Sequence, residues 1–359
     1  MNGAPFDKLR TGFDRLRANG CNYRDLALIN RIEGVKMKYR KCKVLPALVL
    51  CLPVLAYAQP AKYPAKPLKM VVGYAPGGGS DIMGRLIAQQ MAEALGQQIV
   101  VENRAGAAQN IAAEYVAKSP ADGYTLFLSS AALGINVSLY PKLNYDPVKD
   151  FVPVAVFATS PNLLLVHPSF PGRSVREFIA VAKKNPGKLN FSSSGSGSSQ
   201  HLAGEMLKIE IGVDMTHIPY KGSAPSMTAL ASGEVDFSFN NIPSAQPLMT
   251  PGRVRALAIT SAKRSALLPG LPTMIEGGLP GFVTQTWYGV LAPAGTPGDI
   301  VNALNAVIVK AVQKEDFRAR LAQTGADPLA ESPDYFRKLL AEEITRWSKV
   351  VKASKAKPE

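Results

Sequence analysis

The stretch Val71-Val-Gly-Tyr-Ala-Pro-Gly-Gly-Gly-Ser-Asp-Ile-Met-Gly-Arg85 joins an apolar run to an amphipathic one through a glycine turn. Met70 to Val72 reads as the end of a buried strand. Ile82, Leu86, Ile87, Met91 and Leu95 recur at helical spacing, and Ser80 and Asp81 are residue types favoured at a helix N-cap. The pattern predicts a helix beginning near Ser80. The first turn of a helix leaves amide donors unpaired at the positive end of its dipole, and glycines without Cβ let a small anion reach them. A dinucleotide fingerprint would need glycine where Ile82 stands, and a P-loop would need a closing Gly-Lys-Ser/Thr, which is missing. A tight turn that binds nothing has the same local composition, so the rest of the chain must decide.

At 359 residues the chain can bury a large core and accommodates about two domains. Upstream of the glycine turn, Met37-Lys-Tyr-Arg-Lys-Cys-Lys43 precedes an apolar run from Val44 to Ala58 that closes on Ala56-Tyr57-Ala58. A basic segment, an apolar segment and a small-x-small site make a secretory signal peptide over 37–58, cleaved after Ala58. A transmembrane helix needs roughly 20 apolar residues, and Pro46 and Pro53 interrupt this shorter run. Residues 1–36 then read as an upstream extension, with Met37 the native start. All three cysteines, Cys21, Cys42 and Cys51, lie within 1–58. The mature chain therefore has no disulfide framework, thiolate-held metal or cysteine nucleophile. Removing 1–58 takes away 11 Lys/Arg and 4 Asp/Glu, so the net charge falls from +14 to +7. The remaining basic residues are spread along helices without interleaved aromatics, which argues against a nucleic-acid partner and leaves a mild field favouring anions.

From Tyr63 onward, strand-like and helix-like segments alternate with short turns, the pattern of a parallel sheet covered by helices. Strands are expected at 68–72, 99–102, 124–128, 152–156, 163–166, 188–191, 235–240, 254–260 and 282–290. Helices are expected at 80–95, 110–117, 174–183, 201–207, 224–231 and from Pro297 to about Lys314, with a long charged helix from Pro333 to Ala353. Ser129-Ser-Ala-Ala132 opens a loop at the same sheet edge as the glycine turn. In a doubly wound sheet, ligands sit beyond the carboxyl ends of the strands.

Ser192-Ser-Ser-Ser-Gly-Ser-Gly-Ser-Ser-Gln200 has the composition of a flexible linker. Its place between a strand and a helix repeats the strand, small-residue turn and helix of the opening motif, which suits a second binding loop. Chemistry has few groups to use. There is no G-x-S-x-G elbow and no H-E-x-x-H, and the only histidines are His167, His201 and His217. A serine of 192–199 with His201 is a poor arrangement for a hydrolase, and three histidines on distant loops are a poor metal set.

Many ordered motifs accompany these features: Pro76-Gly-Gly-Gly-Ser-Asp81, Val101-Glu-Asn-Arg104, Asp122-Gly-Tyr-Thr-Leu126, Tyr145-Asp-Pro147 with Asp150-Phe151, and Asn185-Pro-Gly-Lys188. They continue in Gly197-Ser198 with His201-Leu-Ala203, Pro219-Tyr-Lys-Gly222, Arg255-Ala-Leu-Ala258, Leu271-Pro-Thr273 and Ala292-Pro-Ala-Gly-Thr-Pro297. With them the chain resembles the Bug-type, TctC-like family of periplasmic binding proteins, the extracytoplasmic subunits of tripartite tricarboxylate transporters. The resemblance implies an α/β, two-lobed periplasmic binding protein fold, type II-like. Each lobe would be a doubly wound sheet with flanking helices, and the ligand cleft would lie between them. Domain 1 would comprise 59–162 and 284–359 and domain 2 163–283, with crossing strands near Leu163 to Val166 and Thr284 to Val290 and the C-terminal helix on the first half.

Carried over by position, the ligand loops fall on Tyr74, Gly78, Gly79, Ser80 and Asp81, on Ser129, Ser130 and Ala131, on Ser193, Gly197 and Ser198, and on Tyr220, Lys221 and Gly222. The implied partners are a small organic carboxylate and membrane transporter subunits, for a monomer that is not an enzyme and uses no metal or cofactor. Two departures stand out. Ala107-Ala108-Gln109 replaces a glycine pair usual in the family, and Asn240 stands where an aspartate is common. Asn240 is expected to remove a negative charge near the cleft and to favour a plain carboxylate over an amine-bearing ligand. A ligand sensor feeding a signalling protein and a serine hydrolase are the competing readings.

Overall fold

The apolar run before the glycine turn forms strand β1, Leu68–Val72, whose Met70, Val71 and Val72 are fully buried. The computed structural model describes residues 63–354 and 356–358. The upstream extension, the signal peptide and its cleavage site therefore lie outside the described residues.

After β1 come α1 (Gly79–Leu95), β2 (Ile99–Asn103), a single 3-10 turn at Ala107–Gln109, α2 (Asn110–Ala117), β3 (Thr125–Ser130), α3 (Ala132–Leu139) and the long strand β4 (Phe151–Val166). The next segment holds α4 (Val175–Lys184), β5 (Asn190–Ser193), α5 (Ser199–Ile211), β6 (Thr216–Pro219), α6 (Ser223–Ser232), β7 (Phe237–Asn241), α7 (Ile242–Met249) and β8 (Arg255–Ile259). The chain ends with β9 (Gln285–Pro293), α8 (Gly298–Gln313), α9 (Glu315–Gln323), β10 (Asp327–Pro328) and α10 (Pro333–Ser354). Three helices were not expected. α3 contains Gly134, α7 has Pro243 in its first turn and carries Pro247, and α9 lies in a charged segment. In α3 and α7 burial outweighs weak local propensity, whereas α9 is rich in the strong helix formers Glu, Arg, Ala, Leu and Gln and buries only Phe317 and Leu321.

The strands run in the order β2-β1-β3-β9-β4-β7-β5-β6, with β8 and β10 also on β4. β1, β2 and β3 are parallel, as are β5, β6 and β7, in agreement with helix-covered strands. The parallel pattern is interrupted at the crossing strands: β9 is antiparallel to both β3 and β4, and β7 and β8 are antiparallel to β4. The two strands expected at 152–156 and 163–166 are one. β4 pairs with β9 through Pro161, then with β7 and β8 from Asn162 or Leu163 onward, so it belongs to both sheets. Pro161 suits this handover, since proline donates no ladder bond.

Each sheet is covered on both faces. On the first, Met83, Ile87 and Met91 of α1 pack with Leu304 and Ile308 of α8 over Met70, Leu126 and Val290. The opposite face carries Ala113 and Val116 of α2, Leu133 of α3 and Phe336, Leu340 and Trp347 of α10. On the second sheet, Phe178 of α4 and Leu207 of α5 cover Phe191, Phe237 and Phe239, while Met227 and Leu230 of α6 and Ala245 of α7 cover Leu163 and Leu165. α10 packs on α3 and β4 and also on α5, where Leu202 joins the cluster of Trp347. The C-terminal helix thus touches both halves.

Candidate functional site

Strand ends and helix starts meet at one edge, which is what the parallel β-loop-α units dictate. The cavity there is lined by Tyr74, Gly78, Gly79, Ser80 and Ser130 from the first sheet's side, by Ser194, Ser199, Gln200, Ser223 and Asn241 from the second, and by Thr286 of β9. Its free volume is about 10 Å³, roughly the room one water needs. A carboxylate of several carbons requires its walls to part.

The glycine turn is capped by no side chain. Gly78, with extended backbone, is the N-cap of α1, so the helix starts one residue before Ser80. Asp81 does not face the ligand position. Its carboxylate accepts from the Gly77 amide (3.0 Å), Asn103 Nδ2 (2.9 Å) and Arg85 Nε (3.0 Å), tying the turn to β2. Burial alone would raise its pKa, but the Arg85, Gly77 and Asn103 hydrogen bonds outweigh that and hold it below the usual carboxylate range. Asn103 Nδ2 also donates to the Tyr74 carbonyl (3.0 Å), which gives the Val101-Glu-Asn-Arg104 motif a positioning role.

The serine turn between β5 and α5 is wholly buried and held by its own side chains. Ser198 is the N-cap of α5 and accepts from the His201 amide (3.2 Å); Ser193 Oγ accepts from the Gly195 amide (3.1 Å). His201 Nδ1 accepts from the Gly197 amide at 3.1 Å, so that nitrogen is unprotonated. The His201 ring stacks on His217 with centroids 3.9 Å apart, and His217 Nε2 meets Ser193 Oγ at 2.7 Å. Burial pushes both imidazoles far below their usual pKa, His201 to about 3 with help from the Lys208 charge, and His217 to about 2 with help from His201 and Lys208. Ser193 and His217 are a hydroxyl-imidazole pair, yet neither lines the cavity. They brace the turn from behind.

Bonds cross the cleft on several sides. The Ala75 amide donates to the Lys221 carbonyl (2.9 Å), the Gly79 amide to Ser244 Oγ (2.8 Å), Asn241 Nδ2 to Tyr288 Oη (2.7 Å) and Tyr140 Oη to the Ser196 carbonyl (2.9 Å). A Cβ on Gly79 would lie 2.4 Å from Asn241 Nδ2, so only glycine permits this approach. With Gly79 and His201 amides already bonded, the first-turn amides of Ser80, Ser199, Gln200 and Ser223 remain for a ligand, drawn from α1, α5 and α6. Three helix N-termini converge on one small space lined by no charged side chain, an arrangement that holds an anion through N–H groups and dipoles.

The family model described as "Tripartite tricarboxylate transporter family receptor" matches residues 83–355. The chain belongs to this family. Its relatives include protein BugT of Bordetella pertussis, 40% identical over 297 residues that cover 82% of this chain and 91% of BugT. Among solved structures, R. palustris Rpa4515 with adipate is 41% identical with a TM-score of 0.81, covering 83% of this chain and all of that one. MatC from Rhodopseudomonas palustris with bound malate is 38% identical with a TM-score of 0.77, covering 80% of this chain and all of that one. The fold of this family receptor is therefore the α/β periplasmic binding protein type that the motifs implied.

Of the expected site residues, Tyr74, Gly78, Gly79, Ser80 and Ser130 line the cavity of this receptor. Ser129 and Ala131 lie buried beside Ser130, and Ser193, Gly197 and Ser198 shape the serine turn from behind. Five more of the expected residues lie outside the cavity lining. Asp81 is the anchor already described. Tyr220 turns away and donates to Glu234 (2.6 Å), while Lys221 contributes its carbonyl to the rim and exposes its side chain. Gly222, at φ +148, brings the chain against Ala75. Asn240 is fully buried against Ser226 and Ser238 (3.2 and 2.8 Å), because the two-residue period of β7 turns it towards α6, and its neighbour Asn241 reaches the cavity. Ser194, Ser199 and Gln200 were within the serine run but not singled out, and Ser223, next to the expected Gly222, was not named. Thr286 carries no local signal, since it arrives from a distant strand. Among the described residues no group of three His, Cys, Asp or Glu could hold a metal, and no helix is long and apolar enough to cross a membrane.

Proposed function

We propose that the protein is an extracytoplasmic solute-binding protein that captures a small organic carboxylate and hands it to the membrane subunits of a tripartite tricarboxylate-type transporter. The observation that carries this is the convergence of three helix N-termini, with free first-turn amides, on a cavity without charged side chains. An amide bonded to a charged acceptor is worth about 1.5–3 kcal/mol, enough for several to hold a carboxylate without an arginine. The adipate and malate carried by the two similar structures support an organic acid as ligand.

Of the domains assigned at 59–162 with 284–359 and at 163–283, the described residues 63–162 with 284–354 make one lobe and 163–283 the other, linked where β4 changes partners and where the Thr284 amide bonds the Thr260 carbonyl (3.1 Å). Opening about these links admits the acid, and closure remakes the rim bonds and presents a changed surface to the transporter. The leader over 37–58 places the mature monomer in the periplasm. No catalytic step is assigned, since the Ser193–His217 pair is turned from the cavity. Thermal-shift measurements with mono- and dicarboxylates are the test. At least one acid stabilises the protein, and Ser80→Leu or Ser199→Leu removes the shift. Flat curves across the panel, or shifts unchanged in both variants, sink this reading.

A further inference from the structure

Resting on the carboxylate reading, the cavity wall around Ser130 says more about the acid. Three consecutive non-glycine residues, Ala107, Ala108 and Gln109, have φ of +45°, +43° and +71°. That backbone is costly for residues with Cβ, and its result is a fully buried Gln109 side chain beneath the end of β3. Gln109 Nε2 lies 3.4 Å from the Ser130 carbonyl and 3.2 Å from Ser129 Oγ. A carbonyl only accepts, so the amide nitrogen must face it, and Gln109 Oε1 then faces Ser130 Oγ at 3.2 Å. Ser130 has one proton and gives it to Gln109. Tyr74 Oη, 3.4 Å away, engages at most one remaining lone pair. Towards the cavity Ser130 therefore shows an acceptor.

A carboxylate cannot use an acceptor, but a hydroxyl on the same ligand can. An ammonium could as well, yet the cavity lining holds no acidic side chain to balance a buried cation. We propose that the receptor selects a hydroxylated carboxylate, with Ser130 accepting from the ligand hydroxyl and Gln109 as the positioning residue that fixes the direction of that hydrogen bond. The amides of α1, α5 and α6 hold the acid; Ser130 reads the alcohol.

The test compares affinities by calorimetry for matched pairs: malate with succinate, lactate with propionate, mandelate with phenylacetate. The hydroxylated member of the pair that fits binds at least tenfold tighter, and Ser130→Ala reduces that ratio to below threefold. Gln109→Met, which releases the Ser130 proton, likewise collapses the ratio; should it fail to fold, Ser130→Ala still decides. Equal or tighter binding of the plain acid by the unaltered protein, or a ratio untouched by Ser130→Ala, overturns this proposal and leaves the carboxylate reading standing. Binding of none of the six acids overturns both.

Discussion

The two turns that face each other across the cavity solve one problem in opposite ways. The glycine turn has exposed Pro76 and Gly77 at its tip, no side-chain cap, and an amide at Gly79 that is satisfied only by Ser244 on the far side. The serine turn is buried from Phe191 to Gln200 and satisfied internally by Ser193, Ser198 and His201. One is completed from across the cleft; the other is complete within itself. Under the proposed function, a self-contained wall and a dependent one would let ligand capture be coupled to lobe movement without distorting both surfaces.

This contrast can be broken experimentally. The largest effect is expected from Gly79→Val, whose side chain would occupy the place of the Asn241 amide across the cleft. Ligand-induced stabilisation disappears, while urea unfolding without ligand changes by less than about 1 kcal/mol if the ligand-free protein opens as proposed and so avoids the clash. Equal loss of basal stability would mean that the glycine turn is as self-contained as its counterpart.

Next comes acid sensitivity of the serine turn. His201 and His217 have folded pKa values depressed below the ordinary 6.5, so the stability they provide is present above pH 6.5 and is lost as pH falls towards about 3 and 2. Two such groups cost about 3 kcal/mol between pH 7.5 and 5.5. Denaturant unfolding at the two pH values should show that loss, and the double variant His201→Gln with His217→Gln should lack it. A pH-independent difference between the two proteins refutes the buried neutral pair.

A smaller asymmetry concerns the caps. Ser198→Ala removes a bonded N-cap and should cost about 1 kcal/mol, whereas Ser80→Ala, which removes none, should stay within about 0.5 kcal/mol. Equal costs would erase the distinction between the turns. The smallest change is a gain. Ala108→Gly relieves a left-handed alanine but loosens the unfolded chain, for a net stabilisation of about 0.5 kcal/mol in the same assay.

The β-loop-α units were legible because apolar periodicity and turn residues agree locally: Leu68 to Val72, Ile82 to Leu95 and Asn110 to Ala117 need only their own neighbours to be read. The continuity of β4 was not, because Pro161 looks like a break until a partner strand is present on each side of it. The site divides in the same way. Ser80 and Ser130 sit at strand-to-loop junctions visible in one segment. Asn241 and Asn240 differ only by the phase of a strand, and a one-residue error exchanges the cavity for the space under α6. Ala107 to Gln109 stood out only as a departure; that it pays for a buried amide beneath Ser130 requires the third dimension.

The position of β9 between β3 and β4 has a consequence for how the molecule is made. Phe127 lies beside Leu291, so the first sheet lacks a central member until nearly the whole polypeptide has left the ribosome. Contacts so remote in sequence raise contact order and slow folding. A nascent chain of this design stays open along its length until synthesis is almost done, and neither half could be excised as a separately folding fragment without leaving a sheet edge bare.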